Sequence, residues 1–191
     1  MKANSSFINS EVTADELARL VEDAKRHQNN AINRLSKFIY SKIFGYAYYR
    51  VKQREDAEDL TSEVLLKIFR SLKTQKGNFL AWIYRIANNS VIDFYRKRAR
   101  RRETSLQDLD YEIPAPEAQK TILTENQMKK ALAHLTPEQA NVVTLRFIQE
   151  YNNEEVAKIM GKTVGAIKVL QFRALKTLRD YFRKEGYAAK Y

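Results

Sequence analysis

Glu155-Val156-Ala157-Lys158-Ile159-Met160-Gly161-Lys162-Thr163-Val164-Gly165-Ala166-Ile167-Lys168 is the stretch on which the fold turns. It reads as two helices joined by a tight turn. Ala157 is small where the helices must approach closely. Gly161 stands where the first must stop, because glycine takes the left-handed conformation at little steric cost. Ile159, Ile167 and Leu170 can supply a shared core. In such a helix-turn-helix the second helix enters the major groove of DNA with its N-terminal half against base edges. Here that helix carries Lys168, Gln171, Arg173 and Lys176, the residue types that pair with adenine (Gln) and guanine (Arg, Lys) or hold phosphates. Phe172 either contacts a thymine methyl or packs. The competing reading is an ordinary helical hairpin with a solvated basic face.

Working outward, Thr136-Pro137-Glu138-Gln139 is a helix start: a hydroxyl cap, proline at the first helical position and glutamine closing the capping box. Upstream of it the segment 103–125 changes character. It carries Glu103, Asp108, Asp110, Glu112, Glu117 and Glu125 against the single Lys120, holds Pro114 and Pro116, and lacks a sustained apolar period over its first half. It reads as a flexible acidic linker. The chain before it shows helical spacing in four segments. The first opens on a capping box at Thr13 and Glu16 and buries Leu17, Leu20, Val21 and Ala24. The second runs from about Ala31, with Ile32, Leu35, Ile39, Ile43 and Tyr46 inward. The third covers roughly Arg54 to Leu72, and Lys73 to Gly77 form a loop. The fourth begins near Asn78 and ends in a basic run. The predicted fold is all-α: two small helical domains, 11–102 and 126–185, on either side of the 103–125 linker, the second bearing the helix-turn-helix.

Bulk composition agrees. Hydrophobic residues make up 44% of 191, enough for a packed core, and five glycines with three prolines leave little room for a turn-rich β architecture. The formal charge of +11 favours a polyanionic partner, nucleic acid or an anionic membrane surface. No apolar run approaches a membrane span, and Met1 to Asn9 lacks a signal peptide's layout, so a cytoplasmic protein with no membrane insertion is expected. Without cysteine there is no disulfide or thiolate metal site, and His27 and His134 lie far apart, so neither a metal nor a cofactor is expected.

Two further faces carry chemistry. Arg85, Asn89, Asp93 and Arg96 fall at spacings of four, four and three and share one helix face, an inventory suited to gripping unpaired bases. Arg96, Lys97, Arg98, Arg100, Arg101 and Arg102 then place six cations in seven residues, enough to track a phosphate backbone. Trp82, Tyr84 and Tyr95 are stacking candidates, against the alternative that they are core. On the third helix, Asp56, Asp59 and Glu63 line one side. Carboxylates repel phosphate, so this side faces either solvent or a basic protein surface. No histidine, cysteine or nucleophile accompanies them, and no enzymatic activity is expected.

Taken together, Asp56-Ala57-Glu58-Asp59-Leu60-Thr61 running into Val64-Leu65-Leu66-Lys67-Ile68-Phe69, the Phe79–Arg98 stretch, and Leu135-Thr136-Pro137 through Arg179 resemble the extracytoplasmic-function sigma factors of bacterial RNA polymerase. The resemblance runs from about Ala14 to Phe182. It implies a protein that binds core polymerase and directs promoter-specific initiation. Asp56, Asp59 and Glu63 would dock on the clamp coiled coil. The Lys73–Gly77 loop, with Lys76, and the helix bearing Arg85, Asn88, Asn89, Asp93, Arg96, Lys97 and Arg98 would capture the melted −10 strand. Thr163, Lys168, Gln171, Phe172, Arg173 and Lys176 would read the −35 duplex, and the acidic linker would thread into polymerase. Asn88 departs from the pattern, standing where members commonly carry a basic residue, which implies a weaker phosphate grip there or an altered −10 preference. The family also implies an anti-sigma factor as partner. Two other readings remain: a stand-alone helix-turn-helix regulator, and a nuclease, which would need a metal-binding carboxylate cluster near the basic helix.

Overall fold

The computed structural model describes residues 12–51, 53–104 and 124–186, with the backbone alone at 101–104. The first block is built of α1 (Ala14–Lys25), α2 (Asn29–Tyr48), α3 (Arg54–Ser71), a 3-10 turn (Leu72–Thr74) and α4 (Phe79–Thr104). The first three helices bury the stripes their spacing predicts, Leu17, Leu20, Val21 and Ala24 from α1, Leu35, Ile39, Ile43 and Tyr46 from α2, and Ala57, Leu60, Val64 and Ile68 from α3. On α4, whose expected face is Phe79, Ile83, Ile86 and Phe94, the residues Phe79, Ile83, Ala87 and Val91 are buried. Ile32, Ile86 and Phe94 sit at the rim of this core, half-buried. The start of α1 is capped on one side of the expected box. The Thr13 hydroxyl accepts from the Glu16 N–H at 3.2 Å, but the Glu16 carboxylate turns away to the Arg34 guanidinium at 2.6 Å.

The second block comprises α5 (Glu125–Ala133), α6 (Pro137–Val143) continuing into a π turn (Thr144–Ile148), α7 (Asn153–Met160) and α8 (Val164–Lys184). Three of these helices open on complete capping boxes: Thr124 with Gln127, the predicted Thr136 with Gln139, and Asn152 with Glu155. Gly161 ends α7 in the left-handed region, φ 63°, as the reading of the turn requires. The helix α5 has no counterpart in the sequence reading. It packs Ala131 and Leu132, with Leu135, against Ala140 and Val143 of α6 and Ala174 and Leu178 of α8. Residues 105–123, most of the segment read as the acidic linker, lie outside the described residues; α4 takes in 103 and 104, and α5 begins at Glu125.

The two domains are not independent of one another. Val142, Leu145, Tyr151, Val156, Ala157, Ile159 and Ile167 of the second block belong to the same apolar cluster as the first-block core, whereas α5 and the outer half of α8 form a smaller cluster. In the π turn Leu145 is buried in the shared core whereas Phe147, two residues later and so on the opposite side of the helix, is exposed.

Candidate nucleic-acid interface

Four surfaces organise the polar residues. On the outer side of α4, Arg85 and Asn89 are exposed, and Asp93 and Arg96 form a 2.6 Å ion pair one turn further on. Lys97 is exposed beside them, as is Lys76 in the loop before α4. Two residues read as part of this set are turned back onto the protein. Arg98 reaches Asp56 of α3 at 3.5 Å, a contact that also removes Asp56 from the open acidic side. Asn88 is half-buried and faces the second block: its Oδ1 accepts from the Asn141 amide at 2.9 Å and lies 3.3 Å from the Tyr46 hydroxyl oxygen. Of the stacking candidates, Tyr84 is core, Trp82 is half-buried against Phe79, and Tyr95 is exposed with its hydroxyl donating to the Arg50 carbonyl.

The outer side of α3 carries Asp59 and Glu63, both exposed, with Leu66 next in the same row and 58% exposed. Leu66 was missed by charge-based reading. An apolar residue at i+3 of an acidic stripe is the signal that would have found it. Glu63 pairs with Lys67 at 2.6 Å, and Lys67 in turn donates to Ser90 of α4 at 2.9 Å, which links the acidic side of α3 to the basic helix.

On α8, Lys168, Arg173 and Lys176 project outward together with Phe172, which is 68% exposed. Val169 and Leu175 share this exposure and were not singled out. Thr163 caps the helix, its hydroxyl accepting from the Ala166 N–H at 3.2 Å. Gln171, at i+4 from Ile167 and i−3 from Ala174, is half-buried at the edge of the inward stripe, and its Oε1 is buried without a partner among the described residues.

Where the blocks meet, Asn141 of α6 is the hub. Its Oδ1 accepts from the Tyr46 hydroxyl and the Arg50 guanidinium while its amide donates to Asn88. Alongside, the Tyr84 hydroxyl lies 3.3 Å from Gln149 Oε1 and 3.4 Å from the Tyr151 hydroxyl, and the Tyr84 ring meets Tyr46 and Tyr151 edge-on at 5.5 and 5.8 Å. Burial, reinforced by Tyr151, pushes the Tyr84 phenol well above its ordinary value, so it stays a neutral donor. Burial likewise lowers Lys42, whose ammonium sits 5.4 Å from the Tyr151 ring centroid. Among the described residues no cluster of three His, Cys, Asp or Glu lies close enough to hold a metal ion, and no helix is long and apolar enough to cross a membrane.

Residues 39–101 match the family model for sigma-70 region 2, and residues 131–180 that for sigma-70 region 4. SigX of Bacillus subtilis, an ECF RNA polymerase sigma factor, is 30% identical over 149 residues, covering 73% of this chain and 77% of SigX. The chain belongs to the extracytoplasmic-function sigma factors. BldN of Streptomyces coelicolor, another ECF sigma factor, is 36% identical to this sigma factor over 169 residues; the match covers 85% of the chain and 64% of BldN's length. The sigma factor RpoE of Bartonella quintana, solved in complex with the anti-sigma factor NepR, shares its fold with a TM-score of 0.62 at 24% identity, covering 79% of this chain and 96% of that one. Region 2 of this sigma factor thus runs from within α2 through α4, and region 4 from the end of α5 through most of α8.

Proposed function

We propose that this sigma factor binds core RNA polymerase and directs promoter-specific initiation, reading the −10 element as a melted strand with region 2 and the −35 element as duplex with region 4. The observation that carries the reading is the coexistence, on one chain, of two separate donor-rich faces. One is Arg85, Asn89, Asp93, Arg96 and Lys97 on α4 with Lys76 in the preceding loop; the other is Lys168, Phe172, Arg173 and Lys176 on α8 with Thr163 at its cap. Arginine and lysine on a groove-facing helix read guanine edges and neutralise phosphate. The amide and carboxylate at the centre of the α4 face suit the edges of unpaired bases, and trapping an extruded base offsets the few kcal/mol of local unpairing.

Asp59 and Glu63 with exposed Leu66 supply a surface of opposite character on α3, suited to a basic protein partner, and core polymerase is that partner in this reading. The chain acts as an initiation factor without chemistry of its own, in the cytoplasm where polymerase works. An anti-sigma factor, like that bound to RpoE in its solved complex, is its expected regulator. A stand-alone regulator would have no need of the region 2 module.

The shared core of the two modules belongs to the chain off DNA. Elements centred at −10 and −35 lie about 25 base pairs apart, roughly 85 Å of duplex. A compact chain of this length is roughly 40 Å across. The modules therefore separate when both elements are engaged. Run-off transcription with purified core polymerase on a genomic promoter library tests the reading. Initiation at a discrete promoter set, with little DNA binding by the chain alone, is expected; no core complex and no redirected start sites would overturn it.

A further inference from the structure

The loop between α3 and α4 is held from behind by a residue of α1. The Lys25 ammonium, its side chain 18% exposed, donates to the Gln75 carbonyl at 3.1 Å and pairs with Glu22 at 2.8 Å. The Gln75 side chain is itself buried and folds over its own turn, its Nε2 donating to the Gly77 carbonyl at 2.9 Å. Leu72 anchors the near end in the core, the Gln75 N–H is spent on the Leu72 carbonyl, and Gly77 takes φ 75°, open to glycine at little cost. The loop's inward polarity is thus consumed within the protein. Lys73, Thr74, Lys76 and Asn78 face solvent, and the N–H groups of Lys76, Gly77 and Asn78 have no acceptor among the described residues. A five-residue loop with exposed lysines has many conformations open to it. What selects one is a buried amide and an ammonium delivered from 50 residues away.

We propose that Lys25, acting through Gln75, is a positioning residue for capture of the −10 strand: it fixes the loop in the shape that admits one base and rejects others. The inference rests on the proposed reading of region 2, and it extends the determinants of −10 selectivity to α1, which lies outside the region 2 match at 39–101. Neither residue touches DNA in this account. Lys25 is behind the loop, and its effect passes through the Gln75 carbonyl.

The test uses full-length protein in holoenzyme with core polymerase and a forked promoter probe whose non-template −10 segment is single-stranded, with each −10 base varied in turn. Lys25→Met keeps the length and removes the ammonium. It is expected to lower affinity for the preferred fork about tenfold and to flatten base preference at one or two adjacent −10 positions. Core affinity, −35 preference and discrimination at the remaining −10 positions stay as in the parent, and Lys25→Arg restores most of the lost selectivity. Should Lys25→Met fail to fold, Gln75→Met tests the brace at its next link: it keeps the carbonyl that Lys25 meets but removes the Nε2 bond to Gly77 that passes the constraint to the loop, and the same flattened −10 preference is expected. Unchanged preference at every −10 position in a folded variant overturns the inference, as does a uniform loss across all probes without rescue by arginine. If the parent holoenzyme itself shows no −10 preference, it is the region 2 reading that fails.

Discussion

Gly45 of α2 faces Gln149 of the second module. A Cβ placed there would lie 2.6 Å from Gln149 Nε2, the tip of a side chain that can move. Gly45→Ala sets two effects against each other. Alanine favours the helix by about 0.5–1 kcal/mol, and displacing Gln149 forfeits its contact with Tyr84, worth about 1 kcal/mol. Melting is expected to show a net change under about 1 kcal/mol. Asn141→Ala is one-sided, because it removes at once the acceptor of Tyr46 and Arg50 and the donor to Asn88, leaving only the contacts those three make with one another. A destabilisation of about 1–3 kcal/mol in urea denaturation is expected. Tyr84 gives a pH signature. Its folded pKa is raised above the ordinary 10.0, mainly by burial, so its contribution is intact below that value and is lost as pH climbs from there through the folded pKa. Thermal melts from about pH 8 to about pH 11 should fall only at the alkaline end, and less steeply in Tyr84→Phe. At this scale the sequence was an incomplete guide. Asn88 and Gln171 have the chemistry of base readers; the fold gives Asn88 to Asn141 and leaves Gln171 half-buried with its Oε1 covered.

Single elements were more legible. The boundaries of α6, α7 and α8 follow from Thr136-Pro137, Gly161 and Thr163, since capping acts within a few residues of chain. Thr136→Ala is expected to cost about 1 kcal/mol by removing the hydroxyl from the Gln139 N–H, measured by equilibrium unfolding. The face of α8 can be tested in function. Lys168→Ala or Arg173→Ala should each lower transcription from −35-dependent promoters about tenfold or more, at about 1–3 kcal/mol per base contact, with core binding intact. Normal transcription from a range of promoters would remove these residues from the recognition set. The matching test on α3, Asp59→Ala with Glu63→Ala, should weaken core association without altering promoter preference, read by competition with a labelled sigma factor. The helix α5 escaped notice because it is nine residues long and lies at the edge of an acidic, proline-bearing segment whose composition masks its short apolar face.

For the molecule as a whole, the chain places two modules in contact through a core that draws on both. In the free protein a donor and acceptor dye on α3 and α8 should report high transfer efficiency, and Asn141→Ala should lower it. Promoter-bound holoenzyme should show the low efficiency of separated modules. What the amino-acid sequence by itself determined was the helical architecture, the caps, and the basic and acidic faces. Those rest on the 3.6-residue period and on contacts between residues three or four apart, which the order of residues specifies directly. Tertiary structure alone decided which side of each helix its neighbours cover. Lys25 meets Gln75 across 50 residues, and Asn88 meets Asn141 across 53. A polar side chain on a helix becomes a reader, a brace or a latch according to what packs over it, and that depends on how the helices are arranged in space, which local periodicity leaves open.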